Sequence, residues 1–219
     1  MLNIGTDSYD FLLNRNRLGT VRNAFSAIFA MGGAQSDFKV LSNGKNVPGV
    51  EVAVFKRGDI YYLTAEKKSF EFETYPMKAS IKLPQKYYIT DMMTEKFIGF
   101  SDSIPLKFSG MSCHTWALMP YKTEKMTIKT PKKVKQGGSL NINISLKTEK
   151  KPGIHVVRIE IFSPSGKRLG EIRKLDVING EANLKMPVAY NDIVGKWTIK
   201  AFDFNSGLDS KKSYKVYCP

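Results

Sequence analysis

Cysteine, histidine and tryptophan are each present only twice in these 219 residues. Cys113 and Cys218 cannot form a disulfide framework, and no CxxC spacing supplies a zinc site. They fall in different predicted β regions, which leaves two readings open: one bridge tying the chain end back, or two free or buried thiols. The thiols are favoured, because no second pair supports a bridge. His114 and His155 also fall in separate regions. His114 adjoins Cys113, yet successive strand residues point to opposite faces, so the neighbours cannot act as a dyad. A distant Ser or Asp could complete a triad with either histidine, but no motif marks one. No Gly-rich loop has phosphate-binding spacing, and Gly32-Gly33 and Gly137-Gly138 read as turn glycines. No cofactor is therefore implied. No apolar run approaches the roughly 18 residues of a membrane helix, so no span is expected. Residues 1–7 lack the basic and apolar stretches of a signal peptide. Met1 is equally compatible with a start inside a longer precursor, so this leaves the compartment open.

What is present suits a folded chain: 42% apolar and 25% charged residues exclude a disordered class. The formal charge of +14 is uneven, since residues 122–219 carry 20 of the 34 basic groups and 9 of the 20 acidic ones. Such a field favours anionic partners. The basic groups are mostly Lys, spread over strands and turns, whereas nucleic-acid readers group Arg and aromatic residues on one surface. The expectation is a solvated Lys-rich face and no specific nucleic-acid partner.

The spacing predicts an all-β fold, two β-sandwich domains in tandem with a short N-terminal helix: a leader over 1–37, a small sandwich over 38–121 and an immunoglobulin-like sandwich over 122–219. In the leader, Val21, Phe25, Ile28 and Phe29 recur at helical offsets and form one apolar face, with Thr20 as N-cap and Gly32-Gly33 at the end. A helix this short should dock on something. From Phe38 the period changes. Val50, Val52 and Val54 alternate, the chain turns at Arg57-Gly58-Asp59, and Ile60–Leu63 returns as a hairpin. Strands are expected at Phe70–Phe72, Ala79–Leu83, Tyr87–Asp91, Lys96–Phe100, Ile104–Phe108 and Thr115–Met119. Beyond a linker at Pro120–Glu124, Ile128 precedes a loop at Pro131–Gly138. Leu140, Ile142, Ile144 and Leu146 then alternate with polar residues, as do Val157, Ile159 and Ile161. Ile172–Val177, Asn183–Met186, Trp197–Phe202 and Ser213–Val216 complete the rhythm of an immunoglobulin-like sandwich, without its Cys…Trp…Cys pattern.

The stretch Tyr87–Asp102, then Ile104-Pro105-Leu106-Lys107-Phe108, then Trp116-Ala117-Leu118-Met119-Pro120, resembles the C-terminal β-domain of GH42-type β-galactosidases and related glycoside hydrolases. Val47–Val52 and Gly58–Leu63 fit the same likeness, which covers roughly 18–120. Gly153–Gly166, Gly195-Lys196-Trp197 and Asp203-x-x-Ser206-Gly207 look like the immunoglobulin-like or macroglobulin-type domains that trail such enzymes. The family's catalytic glutamates lie on a barrel that has no counterpart in these residues. The resemblance therefore implies the tail of a larger secreted enzyme, extracellular or in the cell envelope, rather than an enzyme.

The remaining candidates are few. Glu51, Asp59, Glu71, Glu73 and Glu95 are acid pairs for sugar hydrolysis only in principle. Asp203, Asn205, Ser206 and Asp209 hold enough oxygens for calcium, though turn chemistry accounts for them and Lys211-Lys212 stand close by. Exposed aromatic rings stack on sugars, and Tyr61, Tyr62, Tyr87, Tyr88 and Tyr121 are the rings on offer. In each adjacent pair one ring must face out. Trp197, within an alternating strand, reads as core. The expected function is a non-catalytic accessory or structural β pair that contacts a catalytic domain in cis or another protein surface, with Val21, Phe25, Ile28 and Phe29 as the docking face. The alternatives are a carbohydrate-binding module that takes a polysaccharide and a protein-interaction module at the cell surface.

Overall fold

The computed structural model describes residues 27–28, 31–32, 37–47, 50–67, 77–108, 113–170 and 172–218. The chain divides into two compact units at Lys39/Val40. In the first, residues 27, 28 and 31 have helical backbone, and Gly32 N donates to Ile28 O at 3.1 Å. Val21, Phe25 and Phe29 lie outside the described residues, as do Glu71, Glu73 and the strand expected at Phe70–Phe72.

The second unit is all-β and contains two curled β bodies in tandem. The first is a sheet of β1 (Lys39–Ser42), β2 (Lys45–Asn46), β3 (Val50–Arg57), β4 (Ile60–Lys67), β5 (Met77–Asp91), β6 (Lys96–Phe108) and β7 (Cys113–Met119). Their order is β2-β1-β5-β7-β4-β3, with β6 also on β5. The hairpin β3–β4 turns at Gly58-Asp59 as expected, with Arg57 opposite Ile60. Two pairs of expected strands are fused. Ala79–Leu83 and Tyr87–Asp91 both belong to β5, and Lys96–Phe100 and Ile104–Phe108 both belong to β6. The polar residues read as turns are instead a bulge: the register runs from Lys82 opposite Ser103 to Tyr87 opposite Ser101. Pro84, which has no N–H to give a ladder, sits within it.

Alternation sorts this sheet. Leu63, Trp116, Leu118 and Ile89 share a buried inner face, on which Tyr61 packs edge-on against Tyr87 with centroids 5.9 Å apart. Ile60, Tyr62, Tyr88, Thr90, Ala117 and Met119 take the other face, and Ile60 and Met119 cluster there with Tyr121.

The second body comprises β8 (Thr123–Lys129), β9 (Lys133–Lys135), β10 (Ser139–Thr148), β11 (His155–Phe162), β12 (Arg173–Val177), β13 (Glu181–Pro187), β14 (Gly195–Asp203) and β15 (Asp209–Tyr217). Sheets β13-β10-β8 and β12-β11-β14-β15-β9 face one another across one core. Leu140, Ile142, Ile144, Leu146, Val157, Ile159, Ile161 and Trp197 all lie in that core, as their alternation predicts. The expected loop at Pro131–Gly138 contains β9, because buried Val134 between two exposed lysines lets three residues join β15 in parallel.

Candidate functional site: a buried histidine network between the β bodies

β11 opens on His155 and β14 ends on Asp203, and both side chains are fully buried. His155 Nδ1 lies 2.8 Å from Asp203 Oδ2, and Nε2 lies 3.0 Å from the Tyr121 hydroxyl. Gly153 N–H donates to that hydroxyl at 2.6 Å. The donor inventory closes with one ring proton, on Nδ1: Gly153 N–H gives to Tyr121, Tyr121 O–H to Nε2, and Nδ1–H to the carboxylate. Asp203 also accepts from Ser206 Oγ at 2.5 Å and from Asn205 N at 3.1 Å. A buried carboxylate is tolerable when hydrogen bonds replace its hydration, and three do so here.

Asn205 extends the network to the first body. Its Oδ1 accepts from Val156 N at 2.9 Å, and its Nδ2 donates to the Tyr62 hydroxyl at 2.7 Å. Burial pushes the Tyr121 hydroxyl up to about 12, against a smaller downward pull from Gly153 N–H, and raises Tyr62 for the same reason, opposed by Asn205.

Two glycines let the backbones meet. A Cβ on Gly153 would lie 3.3 Å from both Ile60 and the Tyr121 hydroxyl. Gly207 has φ +72°, and a Cβ there would lie 3.2 Å from Phe97 N and 3.4 Å from Thr90. Around this buried centre stand two ion pairs. Arg57 contacts Asp176 at 2.8 Å. The Arg158 guanidinium binds both oxygens of Glu95, at 2.5 and 3.0 Å, and lies against the edge-to-face pair of Phe202 and Phe204. The hydrogen bond from Arg158 holds the Glu95 carboxyl below the usual range.

The expected sites fare as follows. Tyr87 and Tyr121 are 3% and 1% exposed, so neither offers a face to a sugar; both were candidate stacking rings. Tyr61 turns to the inner core, whereas Tyr62, which does face out of its sheet, meets Asn205. Tyr61, Tyr62 and Tyr88 are each half-buried, and Tyr88 stands beside exposed rings. A bulge pairs Ile89 with Gly99 but Thr90 with Phe97, and so brings Phe97 and Phe100 to the face of Tyr88. Their centroids lie 6.5 and 4.5 Å from its own, and both rings are about half exposed. Of the docking helix face, Ile28 is 60% exposed.

Among the acids, Glu51 is exposed on β3, Asp59 is in the hairpin turn, and Glu95 is bound to Arg158. Asp203, Asn205 and Ser206 do form a turn, but their side-chain oxygens are engaged by the chain itself, and Asp209 is exposed. No cluster of three or more His, Cys, Asp or Glu fit to hold a metal occurs among the described residues. Ser206, Asp203 and His155 do come together, yet not as a triad. Ser206 Oγ serves Asp203, and the place of a nucleophile at Nε2 is taken by Tyr121. Cys113 and Cys218 are exposed and unbridged. Surface grooves of about 750 and 460 Å³ do not include His155 or Asp203, and the second holds a single carboxylate, Glu181.

The network's residues were each visible in the sequence as separate features: a histidine opening a strand, a tyrosine in a linker and a D-x-N-S-G turn. Missed were the Tyr62–Asn205 link and the Arg158–Glu95 pair. No local signal announces either, since 143 and 63 positions separate the partners.

No family model and no curated protein matches the chain. Some solved structures do, weakly and in part. A β-glucosidase from Listeria innocua in complex with glucose is 14% identical with a TM-score of 0.32, over 44% of this chain and 16% of the enzyme. A Parabacteroides merdae β-glucuronidase is 9% identical (TM-score 0.35) over 83% of this chain and 35% of that one. A Salmonella α-2-macroglobulin is 12% identical (TM-score 0.35) over 78% and 12%. The chain thus spans roughly a third or less of each protein's length, and likenesses this slight carry no functional argument.

Proposed function

We propose that this chain is a non-catalytic accessory pair of β-domains, 38–121 and 122–219, locked into one rigid unit that spaces or docks a larger secreted glycoside hydrolase-like protein. The carrying observation is the buried Tyr121–His155–Asp203 chain with its Tyr62–Asn205 branch. It uses up the groups most capable of chemistry in holding two β bodies together. The sequence likeness to GH42-type C-terminal β-domains and to the domains that trail them supplies the parent class. The exposed Phe97 and Phe100, packed on Tyr88, supply an apolar docking patch, with the face of Val21, Phe25, Ile28 and Phe29 as a second candidate.

The two tryptophans test the lock, one in each body. Trp116→Phe and Trp197→Phe leave single reporters, and urea unfolding of the two variants should give coincident midpoints once each substitution's own cost is measured by circular dichroism. Midpoints that separate in a chain with an intact joint overturn the rigid unit. The coding sequence upstream of Met1 tests the parent: a barrel-encoding region is expected, and a stop codon in frame overturns it.

A further inference from the structure

The outer face of the five-stranded sheet carries lysines in register with lysines. On β14, Trp197, Ile199 and Ala201 point into the core, so Lys196, Thr198 and Lys200 point out. On β15, Tyr214 and Val216 point in, so Lys211, Ser213 and Lys215 point out. The pairing sets Lys196 opposite Lys215, Lys200 opposite Lys211, and Lys215 opposite Lys133 of β9. Directly opposed like charges destabilise a sheet. No ion pair joins these lysines to a carboxylate among the described residues; the ion pairs found lie elsewhere. Glu160, opposite Lys200, turns instead to Arg168 at 3.1 Å and Arg158 at 3.8 Å. A groove of about 750 Å³ runs over this face, lined by Lys196, Lys200, Lys211, Lys212, Thr198 and Ser213 among others, with no acidic residue in its lining.

We infer that this groove binds an acidic polysaccharide, through its sulfate or carboxylate groups. An extended anionic chain lying along β14 and β15 would neutralise opposed pairs that the fold leaves uncompensated, and the hydroxyls of Thr198 and Ser213 suit sugar hydroxyls. The groove is lined by lysine point charges and no arginine, and its one aromatic ring, Phe162, is covered by Lys200 Nζ at 4.2 Å. It therefore offers no stacking plate for a nucleobase, which favours polysaccharide over nucleic acid. The site shares no residue with the joint, so it stands or falls apart from the rigid-unit reading.

The test uses the full chain, titrated calorimetrically with heparin and polygalacturonate, with dextran as the uncharged probe and a duplex DNA as the rival. An acidic polysaccharide should bind with affinity that falls steeply with salt, and dextran should not bind. Lys196→Gln with Lys211→Gln should weaken binding about 10-fold or more. Lys125→Gln with Lys185→Gln removes the same charge from exposed sites on the three-stranded sheet and should weaken it less than about 2-fold. The groove variant should also melt about 1–3 °C higher, because repulsion is relieved. Equal loss in both variants, absence of binding, DNA bound as tightly as the polysaccharides with the same dependence on the groove, or a lower melting point would each overturn the inference.

Discussion

The two ends of the five-stranded sheet treat charge in opposite ways. Near the joint, Arg158 has Glu95 and Glu160, Arg57 has Asp176, and Asp203 is wrapped by three donors. Farther along the sheet, Lys196, Lys200, Lys211 and Lys215 stand in opposed pairs along a groove. Water screens like charges cheaply at the surface, whereas a buried charge must find its partners within the protein. Strict pairing therefore marks where this sheet meets its own chain, and surplus of one sign marks where it faces outward.

The strongest way to break that contrast is to remove the centre of the joint. His155→Ala takes a fully buried ring from between Asp203 and Tyr121, leaves a cavity, and strips one of the donors from a buried carboxylate. The expected cost is about 3–5 kcal/mol in urea unfolding. The Trp116 and Trp197 midpoints should also separate, because the bodies no longer unfold as one. A loss below about 1 kcal/mol with coincident midpoints would mean that apolar contacts alone hold the joint.

Next in size is Tyr121→Phe, which keeps the ring and deletes the hydroxyl that Gly153 N–H and His155 Nε2 both use. The fully buried His155 Nε2 and the half-buried Gly153 N–H lose their partner, at an expected cost of about 1–3 kcal/mol near pH 8. The pH dependence sharpens the test. Burial raises the Tyr121 hydroxyl from its usual 10 to about 12, so the folded state favours the neutral form. The stability this confers is complete below pH 10 and is lost as pH rises toward 12. The gap between the parent chain and the Phe variant should therefore narrow between pH 10 and 12. Tyr62 and Tyr214, also raised by burial, add the same slope to both proteins and cancel. A gap that stays constant over that window would place the hydroxyl in contact with water.

These residues also show how far the sequence could be read. The second body was legible where β10, β11 and β14 keep a period of two, so Leu140 to Leu146 and Val157 to Ile161 could be assigned to the core one by one. In the first body two bulges interrupt that period. They fuse strands that read as separate and bring Phe97 and Phe100 to the side of Tyr88, a placement that strict alternation does not predict. Alternation did require Tyr61 and Tyr62 to face opposite ways. It could not say that Tyr62 would meet Asn205 rather than solvent, because the cover comes from a turn 143 positions later. The joint was illegible for the same reason: periodicity places a side chain on a face, and only tertiary docking decides what lies across from it.

The smallest expected effect lies where the two charge regimes meet. Glu95 is partly exposed and bound through both oxygens by Arg158, whose hydrogen bond outweighs the upward push of burial and lowers the carboxyl. A folded-state value below the unfolded one means that the pair stabilises above the ordinary carboxylate range near 4.5 and that this contribution disappears as pH falls through the lowered value. Solvent screening at a site this open limits the benefit to less than about 1 kcal/mol. Glu95→Gln should therefore shift the urea midpoint slightly at pH 7, and that shift should shrink as the pH falls below the ordinary carboxylate range near 4.5. The guanidinium keeps its contact with Phe202 and Phe204 in both proteins, so that contact drops out of the difference. A shift that does not shrink with acidity would assign the contribution to shape and packing, and the strict charge matching at the joint would then be incidental to its strength.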